Sequence, residues 1–400
     1  MAMKILVLNC GSSTLKYQLI DMKTKEAVTK GVFEEIGQSH SFYRYESNGK
    51  ETEDIPFHVP SHLIAVAKMF ELLGDQANTI KAIGHRVVHG GEKYRDSVIA
   101  TEEIIKGVES VSGFAPLHNP ANLLGVRACI ETLPSVPNVL VFDTSFHSTI
   151  QPHAYLYAVP LCDYREHGIR RYGFHGTSYS YVAGKAAELI GKPLNQLKIV
   201  AMHLGGGASV CAIDRGKSAD TSMGLTPLEG LVMGSRSGDI DVGAVHYLTK
   251  VKNLTIDEAL AYLNNNCGLR GLSGVGSDIR KIVAEAKNGS KDAQTTLDVY
   301  THRLIKYIGG YITVMGGVDA IVWTGGIGTN NTYVRKAVME KLEFMGIHID
   351  QNENLKYNGQ EGGRNMTGEI SKKGSKVRTF VICTNEELEI ALHAQRLVKA

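Results

Sequence analysis

The feature that most constrains this chain is a β-hairpin plan that occurs twice. The apolar run Ile5 to Leu8 enters a polar, glycine-punctuated turn, Asn9 to Thr14, and Leu15 to Asp21 reads as a returning strand. Near residue 198 the plan recurs: Ile199 to Met202 runs into His203, Leu204 and the triple glycine Gly205 to Gly207, and Ala208 to Asp214 returns. Both hairpins end in Ile-Asp. A short apolar run bounded by turn residues is what a buried strand looks like in sequence. Two such hairpins predict two similar domains, although two hairpins can also resemble one another by chance. The 400 residues are enough for two cores.

Strand and helix signals alternate through the rest of the chain. Strands are predicted at Ala82 to Val88, Val139 to Phe142, Ala320 to Trp323 and Val377 to Ile382. Helices are predicted at Pro120 to Glu131, with Pro120 in the first turn, at Tyr179 to Ile190, from about Tyr333, and at Glu386 to Val398. Helical patterns dominate from residue 250 to Gly317. Such alternation predicts α/β domains. No low-complexity linker marks a boundary; the end of the Phe142-Asp143-Thr144 strand places it near residue 150, giving domains 1–150 and 151–384.

Composition narrows the function classes. A net charge of +2 gives no reason to expect nucleic acid or an acidic membrane as partner. The six cysteines (Cys10, Cys129, Cys162, Cys211, Cys267 and Cys383) have no paired short spacing, which argues against zinc and a disulfide framework and fits a reducing cytoplasm. No apolar run approaches the ~18 residues of a membrane span. The start, Met1 to Lys4, runs straight into a strand, so no signal peptide is expected. Forty-three glycines exceed the usual share of ~7% and cluster in short polar segments, which suggests tight loops near a ligand.

Several of those segments hold groups suited to phosphate. In Arg170 to Ser178 two cations, an imidazole, two glycines and two hydroxyls fall together. Thr177 and Ser178 read as caps of the following helix, and a histidine before a helix N-terminus, beside arginines, is where a phosphate or a developing negative charge would be held. Alone, the run fits an ordinary loop entering a helix equally well. Three glycine turns, Gly11 to Thr14 (with Ser12), Gly205 to Gly207 and Gly325 to Gly328, could present backbone N–H groups to a phosphate. No complete Walker A or dinucleotide G-x-G-x-x-G is present. Arg86 ends an apolar strand and Arg236 sits among small neighbours; two such guanidiniums suit a carboxylate and an incoming phosphoryl group. Each also fits a structural ion pair. Asp143 follows a strand, where a carboxylate meets ligand or metal or else caps the next turn. His118 lies beside prolines that fix its backbone. No Gly-x-Ser-x-Gly elbow supports a serine hydrolase.

Together these segments resemble the acetate kinase family of the actin, sugar kinase and heat-shock chaperone superfamily. The resemblance runs from Ile5 to Leu397. It rests on eight motifs in order: Asn9 to Tyr17 (NCGSSTLKY), Gly84 to Gly91 (GHRVVHGG), Ala115 to Asn122 (APLHNPAN), Phe142 to Thr144 (FDT), Arg171 to Ser178 (RYGFHGTS), Thr226 to Leu231 (TPLEGL), Arg236 to Asp241 (RSGDID) and Thr384 to Leu388 (TNEEL). It implies a duplicated actin-like, ribonuclease H-like α/β fold with an active-site cleft between the domains. The C-terminal helix, 385–400, would return to the first domain, and the second would make a homodimer contact. It implies reversible transfer of the ATP terminal phosphoryl group to acetate, giving acetyl phosphate and ADP.

Position by position, the resemblance implies that Asn9 and Glu386 hold Mg²⁺ (or Mn²⁺) and that Lys16 approaches the nucleotide phosphates. Arg86 would bind the carboxylate, and Asp143 would orient acetate and help organise the metal. His175 and Arg236 would stabilise the phosphoryl group in flight. His203, Leu204, Gly205, Gly206, Gly207, Asp278, Ile279, Arg280, Gly326, Ile327, Gly328, Thr329 and Asn330 would line the ATP site. Val88, Leu117, Phe174 and Pro227, with His118, would surround the acetate methyl. The chain departs from the family at Gly206 (usually asparagine), Thr329 (glutamate), Tyr179 (histidine) and Val242 (proline). The first two fall on the expected ATP site and bear on the choice among ATP, other triphosphates and pyrophosphate. Two other readings stand beside this one: a propionate or butyrate kinase, against which Val88 narrows the pocket, and a nucleotide-gated binding or assembly protein on the same fold, which would not require Arg86, His175 and Arg236.

Overall fold

The computed structural model describes residues 3–47, 49–116, 118–360 and 366–399. It forms two compact units, Met1–Ser148 with Asn385–Ala400, and Thr149–Thr384.

The first unit is built on β1 (Lys4–Cys10). Ile5, Leu6, Val7 and Leu8 are all buried, so both faces of this strand are covered, as an unbroken apolar run requires. β1 pairs antiparallel with β2 (Leu15–Asp21), which places Asn9 opposite Lys16. The turn between them closes with Gly11 N–H donating to Thr14 O at 2.8 Å. β3 (Glu26–Glu34) and β4 (Phe42–Ser47) extend the sheet antiparallel, with short strands β5 (Lys50–Glu51) and β6 (Ile55–Pro56) on β4. On its other side β1 runs parallel to β7 (Ile80–Val87), and β7 runs parallel to β9 (Asn138–Phe142). β8 (Val98–Ile99) closes that edge.

The second unit repeats the plan. β10 (Lys198–Leu204) pairs antiparallel with β11 (Ala208–Asp214), which pairs with β12 (Lys217–Thr221). On the other side lie parallel β13 (Ala320–Thr324) and β15 (Arg378–Val381), with β14 (Gly368–Glu369) at the edge. The order β3-β2-β1-β7-β9 in one sheet is the order β12-β11-β10-β13-β15 in the other. Both hairpins have seven-residue strands in matching register, with Lys4 opposite Asp21 and Lys198 opposite Asp214. The twofold hairpin in the sequence is therefore the trace of a twofold sheet core.

The C-terminal helix Glu386–Lys399 packs on β7, β1 and β9. Gly84 in β7 lets it approach, because a Cβ there would run into Ile390 Cγ2. The helix Asn119–Thr132 packs on β1 and β7, with Pro120 in its first turn as expected.

Two local expectations fail. The helix expected at Tyr179 begins at Gly176, with His175 at the N-cap. Gly173 (φ 80°) and His175 (φ 61°) both adopt the left-handed conformation and turn the chain directly into the helix. Thr177 and Ser178 are thus inside the first turn and are not caps. Gly325–Asn330 is a helical turn rather than a glycine loop. Val242 is the first residue of helix Val242–Lys252 and is 81% exposed, a position that proline and valine fill equally well. Among the described residues no helix is long and apolar enough to cross a membrane.

His85 is buried in β7, and its Nε2–H donates to Asn138 Oδ1 at 2.7 Å. Burial pushes the imidazole down from 6.5 to about 4. The unfolded chain therefore binds a proton before the folded one does, and stability is lost as pH falls from 6.5 toward 4. Comparing urea midpoints at neutral pH and at about pH 5, the wild type should lose on the order of 2 kcal/mol more than His85→Gln.

Candidate active site

The first unit gathers charge at the ends of two parallel strands. Arg86 is the penultimate residue of β7, and Asp143 follows β9. The register pairs Val87 with Phe142, and Asp143 N–H donates to Val87 O at 3.0 Å, so both side chains emerge at the same end of the sheet. The guanidinium grips the carboxylate with both arms, Nε to Oδ1 at 3.2 Å and Nη2 to Oδ2 at 2.5 Å, and Nη1 reaches Asn9 Oδ1 at 3.5 Å. Asp143 is 1% exposed. Burial works against the Arg86 charge, but Asp143, then Glu386 and Glu387, outweigh it and hold the guanidinium above its ordinary value. Glu386 opens the C-terminal helix. Burial pushes its carboxyl up, Arg86 pulls it down, and Asp143 and Glu387 push it up again, leaving it above the usual carboxylate range.

The Ala115 to Asn122 motif works through two asparagines that sequence reasoning missed. Asn122 Oδ1 accepts from Val88 N–H at 3.1 Å, and its Nδ2 donates to Cys10 O at 2.5 Å. Asn119 Oδ1 accepts from His89 N–H at 3.0 Å, and its Nδ2 donates to His89 O at 2.9 Å. Together they tie the loop carrying Val88 to the end of β1. Two asparagines three apart in the first turn of a proline-started helix were the available signal. His118 is half-buried at the N-cap of that helix, and Leu117 lies outside the described residues. Lys16 is exposed and lines a cavity with Asn9, Lys30, Arg44 and Glu387. Ser12 is exposed too, but it faces a different depression, beside His62 and Arg127.

The second unit gathers a different set. His175 holds a left-handed backbone, uncommon for a residue with a Cβ and a recurrent feature of functional positions. Its Nδ1 hydrogen bonds Ser209 Oγ of β11 at 2.8 Å, and Tyr179 Oη meets the same hydroxyl at 2.5 Å. Its ring stacks on His203, centroids 4.2 Å apart, and His203 Nδ1 bonds Ser178 Oγ at 2.8 Å. Gly207 lies against both candidate phosphate ligands: a Cβ there would sit 3.4 Å from Arg236 Nη1 and 3.5 Å from His175 Nε2. Arg236 donates to Pro227 O at 3.0 Å and, among the described residues, has no ion pair. Burial pulls it below its ordinary value.

The neighbouring cations turn out to be structural. Arg170 lies 3.5 Å over the Tyr155 ring. Arg171 donates to the carbonyls of Thr221, Ser222 and Met223 and to Glu229 Oε1 at 2.5 Å. Neither offers a free guanidinium to an anion. Phe174 is buried.

A cavity of about 370 Å³ in this unit is lined by the predicted Gly205, Gly206, Asp278, Ile279, Arg280, Gly326, Ile327 and Asn330. Gly234, Ser277, Asn331, Asn358 and Gly359 also line it, and the sequence did not single them out. His203, Leu204, Gly207, Gly328 and Thr329 do not line it. Leu204 is buried in the core, and Thr329 is buried with its hydroxyl donating to Gly325 O at 2.9 Å. In the helical turn Gly325–Asn330, positions 326, 327 and 330 face outward while 328 and 329 face the sheet. Threonine at 329 thus removes no group from the cavity. Gly206 does: a Cβ there would meet nothing within 4 Å.

Residues 4–392 match the model of the acetokinase family. The chain belongs to the acetokinase family. It is 48% identical to an acetate kinase of Halothermothrix orenii over 100% of both chains. It is 46% identical to an acetate kinase of Bacillus subtilis, covering 99% of this chain and 100% of that one. Among solved structures it is similar to the acetate kinase of Porphyromonas gingivalis (42% identity, TM-score 0.93, 99% and 100% covered) and to a propionate kinase of Francisella tularensis (36% identity, TM-score 0.91, 98% and 99% covered). The two-unit actin-like fold expected from the motifs is thus the family's fold, and the chain is a kinase.

Asn122 carries the strongest structural expectation in the first unit. Asn122→Ala leaves the Val88 N–H and the Cys10 carbonyl buried and unpaired, and should cost about 3 kcal/mol in urea unfolding, at ~1–3 kcal/mol per orphaned group.

Proposed function

We propose that this acetokinase-family member is an acetate kinase, transferring the ATP γ-phosphoryl group to acetate to give acetyl phosphate and ADP. The observation that carries the reading is Arg236. Among the described residues it is a guanidinium without an ion pair, held beside His175 Nε2 and against Gly207, whose neighbours Gly205 and Gly206 line the 370 Å³ cavity. An unpaired cation flanked by a glycine backbone is arranged for an anion.

Acetate is ionised at neutral pH, so its oxygen attacks the γ-phosphorus without a general base. The bond from that phosphorus to the β–γ bridging oxygen breaks, and the electron pair leaves with ADP. Such a transfer needs positioning and charge neutralisation rather than covalent help. Arg236 and His175 Nε2 would donate to the equatorial oxygens. Arg86 would hold the acetate carboxylate with Nη1, since Asp143 already takes Nε and Nη2. Asp143 then acts mainly by fixing that guanidinium. Val88 and Phe174, with Pro227, would bound the methyl.

Asn9 and Glu386 offer only oxygen donors, which suits Mg²⁺ (or Mn²⁺), an ion that takes one or two carboxylates together with substrate phosphates. Asn9 and Glu386 would hold the ion, and when bound it would neutralise phosphate charge. Exposed Val242, Tyr247 and Ile256, on helices Val242–Lys252 and Ile256–Asn265, support a homodimer contact through this unit. A cytoplasmic location accords with six free cysteines.

A hydroxamate assay of acyl phosphate tests the reading, with acetate, propionate and butyrate each offered with ATP, GTP or pyrophosphate. Acetate with ATP should give the highest turnover, with propionate ~10–200-fold lower for its extra methylene. No acyl phosphate from any pair would overturn it. Arg236→Ala should lower kcat by ~10³ or more. Gly206→Asn, which fills open space, should change KM for the nucleotide several-fold and leave kcat near wild type.

A further inference from the structure

The turn between β1 and β2 joins Asn9 to Lys16, and a side chain far away in sequence grips it. We infer that His62 is a positioning residue for this turn: it holds the Gly11 carbonyl and, through it, the placement of Asn9 and Lys16. The inference rests on the roles proposed for Asn9 and Lys16 and adds the group that fixes them.

The acceptor settles the direction of the bond. A main-chain carbonyl can only accept, so the 2.7 Å contact between His62 Nε2 and Gly11 O requires the hydrogen on Nε2. His62 is buried, and it opens the helix His62–Leu73. The N-cap Ser61 accepts from Ile64 N–H and fixes the first turn of that helix. Ala65, Val66, Met69 and Leu73 then pack in one apolar cluster with Leu6, Leu8 and Cys10 of β1. The helix is thus anchored on the strand whose end its first residue grips.

The neighbouring carbonyls are held as well. Cys10 O accepts from Asn122 Nδ2 at 2.5 Å, Ser13 O from Ile36 N–H at 2.9 Å, and Thr14 O from Gly11 N–H at 2.8 Å. A Cβ at Gly125 would run into Cys10 Sγ, so helix Asn119–Thr132 sits directly against the base of the turn. The repeated hairpin of the second unit is built alike. Gly205 N–H donates to Gly207 O at 2.9 Å and closes the β10–β11 turn, and Gly206 O accepts from Gly234 N–H at 3.0 Å. Each hairpin therefore has a turn carbonyl held by a group distant in sequence. In the second unit that group is a main-chain N–H. In the first it is an imidazole, which a substitution can remove.

The test compares His62→Leu, which keeps bulk and removes the donor, with His62→Gln, which keeps a side-chain N–H. Hydrogen exchange, read by mass spectrometry without substrate, should be about tenfold faster in His62→Leu than in wild type for the peptide from Asn9 to Tyr17. The peptide from His203 to Cys211 should be unchanged, and His62→Gln should match wild type in both. In kinetics His62→Leu should raise KM for magnesium ATP about tenfold. KM for acetate should stay within about twofold, because Asp143 holds Arg86 independently of the turn. Exchange of the first peptide at the wild-type rate in His62→Leu overturns the inference. So does equal acceleration in both hairpins, which is a general loss of stability, and so does an unchanged KM for magnesium ATP. A His62→Gln variant that behaves like His62→Leu overturns it too. If His62→Leu does not fold, His62→Asn, whose amide is one methylene shorter than that of glutamine, takes its place under the same criteria. A wild type that forms no acyl phosphate would overturn the proposed function and leave the exchange result standing.

Discussion

The ion pair of Arg86 with Asp143 is the contact on which the candidate site residues of the first unit depend. A carboxylate 1% exposed is costly unless paired, and here both of its oxygens are taken by one guanidinium. The pair exists because β7 and β9 run parallel in a register that lines up their ends, and because Asp143 N–H is bonded to Val87 O. With two arms of Arg86 committed, only Nη1 is left to reach outward, toward Asn9. Burial first, and then the Asp143 charge, keep the Glu386 carboxyl high against the pull of Arg86. The ends of three strands, β1, β7 and β9, and the start of the C-terminal helix are therefore coupled through one guanidinium.

Much of this was legible in the sequence, and the reasons differ from residue to residue. The hairpins were readable because the buried central strands β1 and β10 need unbroken apolar runs. The C-terminal helix was readable from its period, and Arg86 and Asp143 from their place after apolar strands. What could not be read were contacts between segments distant in sequence. Ser209 is one serine in a strand, and nothing local says that its hydroxyl lies between Tyr179 and His175. Asn119 and Asn122 looked like the setting of His118, yet their amides pin Val88 and the end of β1.

Where local rules misled, a tertiary contact had overridden them. Thr177 and Ser178 are good cap residues by composition, but Ser178 is committed to His203 Nδ1 and the helix starts one turn earlier. Arg170 and Arg171 looked like an anion site, but one is spent on a tyrosine face and the other on three carbonyls and Glu229. Glycines 325 to 328 looked like a phosphate loop, but the chain winds into a helical turn that exposes positions 326, 327 and 330 and turns Thr329 inward.

The two units solve opposite electrostatic problems with the same sheet order. In the first, one guanidinium is surrounded by Asp143, Glu386 and Glu387, so the residual charge is negative and the available donors are oxygens. In the second, Arg236 has no carboxylate partner among the described residues, so the residual charge beside Gly207 is positive. A divalent cation suits the first set and a polyphosphate suits the second. The reaction proposed for this chain needs both, and a duplicated sheet that places loops at the ends of its parallel strands gives each unit a place to hold one of them. The left-handed backbone of His175 follows the same logic. Past the left-handed turn at Gly173 and His175, the Nε2–Cε1 edge of the ring lies against Gly207.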